Sequence, residues 1–297
     1  MERIRRAVHF VPGANEKMLR KALELPVDTL VLDLEDSVTP ENKDSARRVV
    51  TGWLKSVDFG RIERMVRMNP LDTAWGVADL EMTMEGPPDS YMVPKVRTRD
   101  DLLKVDSILT RLERQYGHRE GGVKLLVLAT ETSQCLLNIG SFGDCPRVDS
   151  MSWGSEDLSA AIGARRSRDD SGQLLEVFRY ARLMTLIAAT AADVQPVDTV
   201  FVDVRDSEGL RRECRDVAAM GFTGKITIHP SQVEIVNEVF SPSVEDIAYA
   251  QELLAALEEN RKVGRMAFSF RGEMVDVPHF KRAEMILARA KPRAANS

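Results

Sequence analysis

Short apolar runs recur along the chain at 7–11, 29–34, 64–68, 91–96, 123–129, 148–153, 199–204 and 225–229. Runs of this length read as parallel strands buried on both faces, where the period-two alternation of a half-exposed strand disappears. Between them lie longer stretches, such as 14–25, 40–55, 99–115, 176–192 and 207–220, whose apolar positions return every three or four residues. That spacing makes one face of a helix apolar. A strand followed by a helix, repeated around the chain, predicts an α/β protein with the architecture of a (β/α)8 TIM barrel. The rival, a doubly wound open sheet, carries a Gly-rich phosphate turn after its first strand. FVPGAN at that place lacks the GxGxxG spacing.

The pattern changes after the eighth unit. A helix is expected over 244–261, introduced by Pro242, and then a two-stranded hairpin in MAFSF-RGE-MVDV with its turn near Arg271-Gly272. A last helix over 279–289 precedes a polar tail, KPRAANS, of the composition that frays. The expected organisation is thus a barrel domain over 1–241 and a helix–hairpin–helix extension over 242–297. So small an appendage is expected to hold no core of its own and to pack on its own barrel or, as the expected arrangement, on a neighbouring subunit. The loop over 163–172, GARRSRDDSG, is the most charged interior stretch and a candidate mobile loop over the barrel mouth.

Bulk properties narrow the class. A formal net charge of −5 argues against a nucleic-acid binder, whose footprint would be basic. Cys135, Cys145 and Cys214 show no metal-ligand spacing and leave an odd thiol, as in a reduced, cytoplasmic protein. The basic N-terminus, MERIRRAVHFVPG, has no signal-peptide core, and no run is long enough to span a bilayer. Neither nucleic acid nor membrane is an expected partner.

Candidate chemistry sits where barrel enzymes carry it, at the C-terminal ends of the strands. Those ends bring Asp33, Glu35 and Asp36, then Arg67 and Asn69, Lys95, Glu131, Asp157, Asp203 with Asp206, and His229. Charges at the ends of apolar runs are costly unless paired or metal-bound, so their gathering at one edge is informative. Glu131 and Asp157 end successive strands and could share one divalent cation such as Mg²⁺, which takes one or two protein carboxylates and leaves the rest to water and substrate. Each residue also has a plainer reading. Glu131 could favour the N-terminus of the next helix, and Asp157 could cap one. Arg67 and Lys95 could pair with Glu35 or Asp33 as a rim network. Asp203 reads as structural, His229 as a hydrogen-bonded strand end, and His9 as a packed core or rim residue.

Taken in order, FVPGANEKML, LVLDLEDSV, VRMNP, VPKV, LLVLATETSQCLLN, MSWGSEDLSAAIG and ITIHPSQVEIVN resemble the citrate lyase β-subunit-like (HpcH/HpaI aldolase) family. The resemblance covers about 7–290, with WGSEDL and IHPSQ its most specific segments. It implies a (β/α)8 barrel enzyme, a homotrimer or dimer of trimers, that uses Mg²⁺ to make or break a C–C bond in 3-hydroxyacyl thioesters. It further implies that Glu131 and Asp157 are the metal ligands, and that Arg67 contacts substrate oxygens. Glu35 and Asp36 would support the metal's waters and the arginine; Lys95, Gly154 and Ser155 would bind substrate. In the CoA-dependent members an aspartate of the C-terminal extension enters the neighbouring subunit's site as acid/base, and MVDVP places Asp276 at that position. By its residues alone Asp276 is an acid on a hairpin, more often solvated than functional.

The resemblance therefore implies a CoA-thioester lyase that cleaves citramalyl-CoA or malyl-CoA to acetyl-CoA and a 2-keto acid, pyruvate or glyoxylate. A malyl-CoA-type thioesterase is one alternative. A citrate lyase β-subunit acting on an acyl-carrier-protein thioester is another.

Overall fold

In the computed structural model the described residues are 3–290, so the tail KPRAANS lies outside them. Eight parallel strands close into a barrel in sequence order: β1 (Ala7–Pro12), β2 (Thr29–Asp33), β3 (Glu63–Arg67), β4 (Ser90–Val93), β5 (Lys124–Leu128), β6 (Val148–Ser152), β7 (Gln195–Asp198) and β8 (Gly224–Thr227). The helices between and after them are α1 (Glu16–Ala22), α2 (Lys43–Ser56), α3 (Gly76–Thr83), α4 (Arg99–Tyr116), α5 (Ser133–Asn138), α6 (Ser155–Ile162), α7 (Glu176–Ala191), α8 (Ser207–Met220) and α9 (Pro230–Phe240). The architecture is the barrel that the run pattern predicts.

The register stacks the barrel interior in layers of four side chains from alternate strands, as such barrels do. Thr29, Ser90, Ser150 and Gly224 face inward at the N-terminal end. Above them come Val8, Met65, Leu126 and Val197, then Val31, Met92, Ser152 and Ile226. These positions, with Leu128 and Phe10, form the apolar heart of the barrel. Ser152 is the exception: its hydroxyl is buried and has no hydrogen-bond partner. Phe10, Arg67 and Leu128 face the C-terminal mouth. The opposite end is closed by Arg5, which grips Glu63 at 2.7 Å through both Nε and Nη2 and reaches Asp149 at 2.9 Å.

The seventh strand is a correction. The run 199–204 is loop, and the strand is Gln195–Asp198. The sheet ends at Asp198, whose carboxylate accepts from Trp153 Nε1 at 2.7 Å and from Lys225 Nζ at 2.5 Å. Beyond it the Phe201 carbonyl accepts from Gln232 Nε2 at 2.8 Å, while Val202 and Val204 stand exposed. Alternation in TVFVDV imitated a strand that tertiary hydrogen bonds do not form. The 163–172 loop has some local order. It begins a short antiparallel turn in which Arg168 bridges to Leu174, and Arg168 Nη2 donates to Glu213 of α8 at 2.6 Å.

Chain contacts divide the molecule into two compact units, Arg5–Asn237 and the residues from Glu238 on with those before Arg5. The C-terminal unit is α10 (Val244–Lys262), the hairpin β9 (Phe268–Phe270) and β10 (Glu273–Val275), and α11 (Val277–Arg289). The turn between the strands has positive φ at Arg271 (51°) and Gly272 (87°), the type I′ geometry that two-residue hairpins favour. Contrary to the expectation of no core, Leu253, Leu257, Phe268, Val275 and Phe280 form a buried cluster there. Cys135, Cys145 and Cys214 are free thiols, all buried in the barrel unit. No described helix is long and apolar enough to cross a membrane.

Candidate active site

The first turn after β2, Leu34-Glu35-Asp36, is held from beneath by Lys43. Its ammonium is buried and donates to the carbonyls of Leu34 (2.8 Å) and Glu35 (2.7 Å) and to Asn69 Oδ1 (2.7 Å). Asn69 in turn donates to Leu34 O and to Asp79 Oδ2, at 2.8 and 2.7 Å. This fixes where Glu35 emerges. Asn69 is among the strand-end candidates, whereas Lys43 carries no signal in the sequence, because a lysine in a polar stretch is usually solvated.

Arg67, on the last turn of β3, is clamped in place. Its Nε and Nη2 both lie 2.7 Å from the two oxygens of Asp33, and its guanidinium stacks on Phe10 at 4.6 Å. The remaining Nη1 points at Glu35 Oε2 (3.0 Å) and approaches Asp36 (3.6 Å). Burial opposes ionisation of Asp33, yet Arg67 and the Ser37 and Glu35 N–H groups hold its carboxyl below the ordinary range.

Lys95 follows β4 in the left-handed region, φ 52°, a conformation that costs a non-glycine residue about 1 kcal/mol. There both its ends work. The backbone N–H donates to Glu131 Oε2 at 2.6 Å. The ammonium lies 2.6 Å from Glu35, 3.4 Å from Asp36 and 3.5 Å from Asp157. Glu131 itself is buried between Thr130 and Thr132, and Thr132 is the residue that caps α5. A helix-terminus role for Glu131 is therefore set aside. Burial first, then the carboxylates of Asp157 and Glu35, push its carboxyl well above the ordinary range. Burial likewise pushes Glu35 up to about 7, against the pull of Arg67 and Lys95.

Asp157 stands in the first turn of α6, whose N-cap position is taken by Gly154. Gly154 is where Glu131 needs room: a Cβ there would come 2.9 Å from Glu131 Cγ. Ser155 is buried with its hydroxyl turned to Glu156 Oε1 at 3.1 Å. A cavity of about 280 Å³ opens beside Lys95, walled by Pro70, Leu71, Val93, Pro94, Val96 and Val105. Its cations are already engaged, Arg97 by Asp72 at 2.9 Å and Lys104 by Asp101 at 3.4 Å.

The predicted residues Glu35, Asp36, Arg67, Lys95, Glu131, Gly154 and Asp157 thus come together at one mouth of the barrel. Asp276 is described with the C-terminal unit, where it caps α11 beside His279. The other strand-end candidates do structural work. Asp206 caps α8 through Gly209 N (2.8 Å), Asp203 accepts from Arg205 N (3.0 Å), and His229 pairs with Ser231 (2.8 Å). His9 faces outward from β1 against Thr227 Oγ1 at 2.9 Å.

The donor set fits a hard divalent cation. Asp33, Glu35, Asp36, Glu131 and Asp157 gather around Arg67 and Lys95, and the Glu35 Oε2 atom, though 3.0 Å from Arg67 Nη1, is buried without an aligned hydrogen bond. Among the described residues no three acidic, His or Cys side chains form a complete protein cage for a metal. Mg²⁺ takes one or two protein carboxylates and keeps water in its shell, so Glu131 and Asp157 are the pair that would hold it.

Comparison with known proteins agrees with this geometry. The pattern of the HpcH/HpaI aldolase/citrate lyase family matches residues 6–230. Mouse (Mus musculus) mitochondrial citramalyl-CoA lyase is 38% identical over 298 residues, spanning 96% of this chain and 86% of the relative. The (3S)-malyl-CoA thioesterase of Cereibacter sphaeroides strain KD131 is 37% identical, spanning 98% of this chain and 96% of the relative. The structure of CitE from Mycobacterium tuberculosis, in complex with magnesium, acetoacetate and coenzyme A, superposes with a TM-score of 0.79 at 32% identity, covering 98% of this chain and all of that one. The chain belongs to the HpcH/HpaI aldolase/citrate lyase family and is an enzyme of that family.

Proposed function

We propose that the protein is a Mg²⁺-dependent carbon–carbon lyase that cleaves a citramalyl-CoA or malyl-CoA type thioester to acetyl-CoA and pyruvate or glyoxylate. The observation that carries this reading is Glu131, a desolvated carboxylate facing Asp157 at the mouth of the barrel, with a single backbone N–H as its donor. Glu131 and Asp157 would hold the cation. When bound, it would supply a Lewis acid and a template for the oxygens of the keto-acid half.

The chain's own residues do the rest. Arg67, locked by Asp33 and Phe10, keeps one N–H edge toward the site, placed to offset charge on a developing oxyanion. Glu35 and Asp36 orient Arg67 and Lys95, and Lys95 offers the substrate a cationic contact. Gly154 and Ser155 bring the start of α6 against the substrate. Asp276, delivered by a neighbouring copy in a homotrimer or hexamer, protonates the thioester enolate carbon in cleavage and removes that proton in condensation. Three buried, unpaired thiols support the cytoplasm as the compartment.

Purified protein with Mg²⁺ should release a 2-keto acid and acetyl-CoA together from citramalyl-CoA or malyl-CoA. A free CoA thiol without acetyl-CoA would assign a thioesterase instead, the activity that names the C. sphaeroides relative. Turnover only with an acyl-carrier-protein thioester would assign a citrate lyase subunit. Glu131→Gln should weaken Mg²⁺ binding, read by calorimetry, by about tenfold or more.

A further inference from the structure

The C-terminal unit holds one close carboxylate–imidazole contact. His279 Nδ1 lies 2.7 Å from Asp276 Oδ1, and the Asp276 backbone N–H points at the same nitrogen from 3.3 Å. An ionised carboxylate and a bare imidazole nitrogen at 2.7 Å would set two lone pairs against each other. A proton therefore lies between them, on Nδ1 or on Oδ1. The backbone pins both partners: Asp276 is the N-cap of α11 in extended geometry, and His279 is its third residue. Both side chains are about half exposed and close a capping box at the start of α11. Of the charged groups nearby, Glu252 on α10 is held by Arg271 at 2.6 Å. Glu273 on β10 lies three residues before Asp276, and Lys281 and Arg282 follow His279 on α11.

We propose that His279 is the proton partner of Asp276, a positioning residue that orients the carboxyl and reloads it. This rests on the reading of Asp276 as the acid/base. In cleavage the Asp276 carboxyl gives its proton to the enolate carbon and is left as carboxylate. His279, neutral with its proton on Nδ1 and Nε2 bare, then takes a proton from water at Nε2 and passes the Nδ1 proton to Oδ1. This restores the carboxyl and leaves a neutral imidazole protonated at Nε2. In condensation the same transfers run backwards, and no other reactant is needed. The capping box itself asks only for an acceptor on its third residue, which Glu or Gln would supply equally; an imidazole there adds a proton that can move.

The test compares His279→Ala, His279→Asn, Asp276→Ala and wild type. Citramalyl-CoA cleavage is followed from pH 6 to 9, and deuterium exchange into the acetyl group of acetyl-CoA by NMR. His279→Ala should lower kcat about tenfold or more with KM within about twofold, and slow exchange in parallel. His279→Asn, which keeps a donor for Oδ1, should restore part of kcat while the wild-type pH dependence disappears. Wild-type kcat and pH profile in His279→Ala, with Asp276→Ala inactive, would overturn the dyad and leave the Asp276 reading intact. An active Asp276→Ala would remove that reading and the proposal built on it. Circular dichroism melting of each variant separates a lost proton partner from a lost helix: full restoration of both kcat and pH profile by Asn would mean the contact is only structural.

Discussion

One tight spatial requirement in the site falls on a residue with no side chain. Gly154 lies where a methyl group would press on Glu131 Cγ at 2.9 Å, so Gly154→Ala must displace the Glu131 side chain. Displacements of this order cost about a hundredfold in turnover, and that loss is expected in kcat at a nearly unchanged melting temperature. Ser152 gives the opposite expectation. Its hydroxyl is buried and unpartnered among apolar neighbours, so Ser152→Ala should be neutral or stabilising in urea titration. His9 supplies a pH dependence. Burial, then the nearby His229, lowers its pKa to about 4. The unfolded chain, with an ordinary histidine near 6.5, therefore binds the proton first as pH falls. Stability is full above pH 6.5 and declines toward pH 4. The loss should be about 2 kcal/mol between pH 7.5 and 5, and His9→Asn should flatten it.

Elements explain how much could be read from the chain. Strand ends were legible because strands buried on both faces announce themselves as apolar runs, so a charge that ends one is conspicuous; Arg67, Glu131 and Asp157 were found this way. β7 was not legible, since QPVD is short and contains a proline, while the neighbouring TVFVDV alternates like a strand yet leaves the sheet. Lys43 was not legible either, because its partners are the Leu34 and Glu35 carbonyls and Asn69, which only the closed barrel brings to it. Removing it tests how far the β2–α2 turn depends on one ammonium. Lys43→Met should cost about 2–4 kcal/mol by chemical denaturation, leaving those acceptors buried and unmet. It should lower kcat as well, by freeing Glu35.

The whole molecule comprises two compact units, and the proposed chemistry draws on both. If Asp276 serves a neighbouring copy, Asp276→Ala and Glu131→Gln should each be inactive, yet regain activity when co-assembled in equal amounts. Random assembly would give about a quarter of the sites one intact Glu131 and one intact Asp276. No recovery after dissociation and reassembly would place Asp276 outside the site. The same division can be watched without any substrate. Cys135, Cys145 and Cys214 are all buried in the barrel unit, and burial pushes the Cys214 thiol up to about 12. Alkylation of these thiols must await opening of the barrel. Residues from Glu238 on contain no cysteine, so they can fray or detach without entering the signal. Timed thiol labelling read by mass spectrometry thus clocks the barrel alone, with one reporter on α5, one ahead of β6 and one on α8.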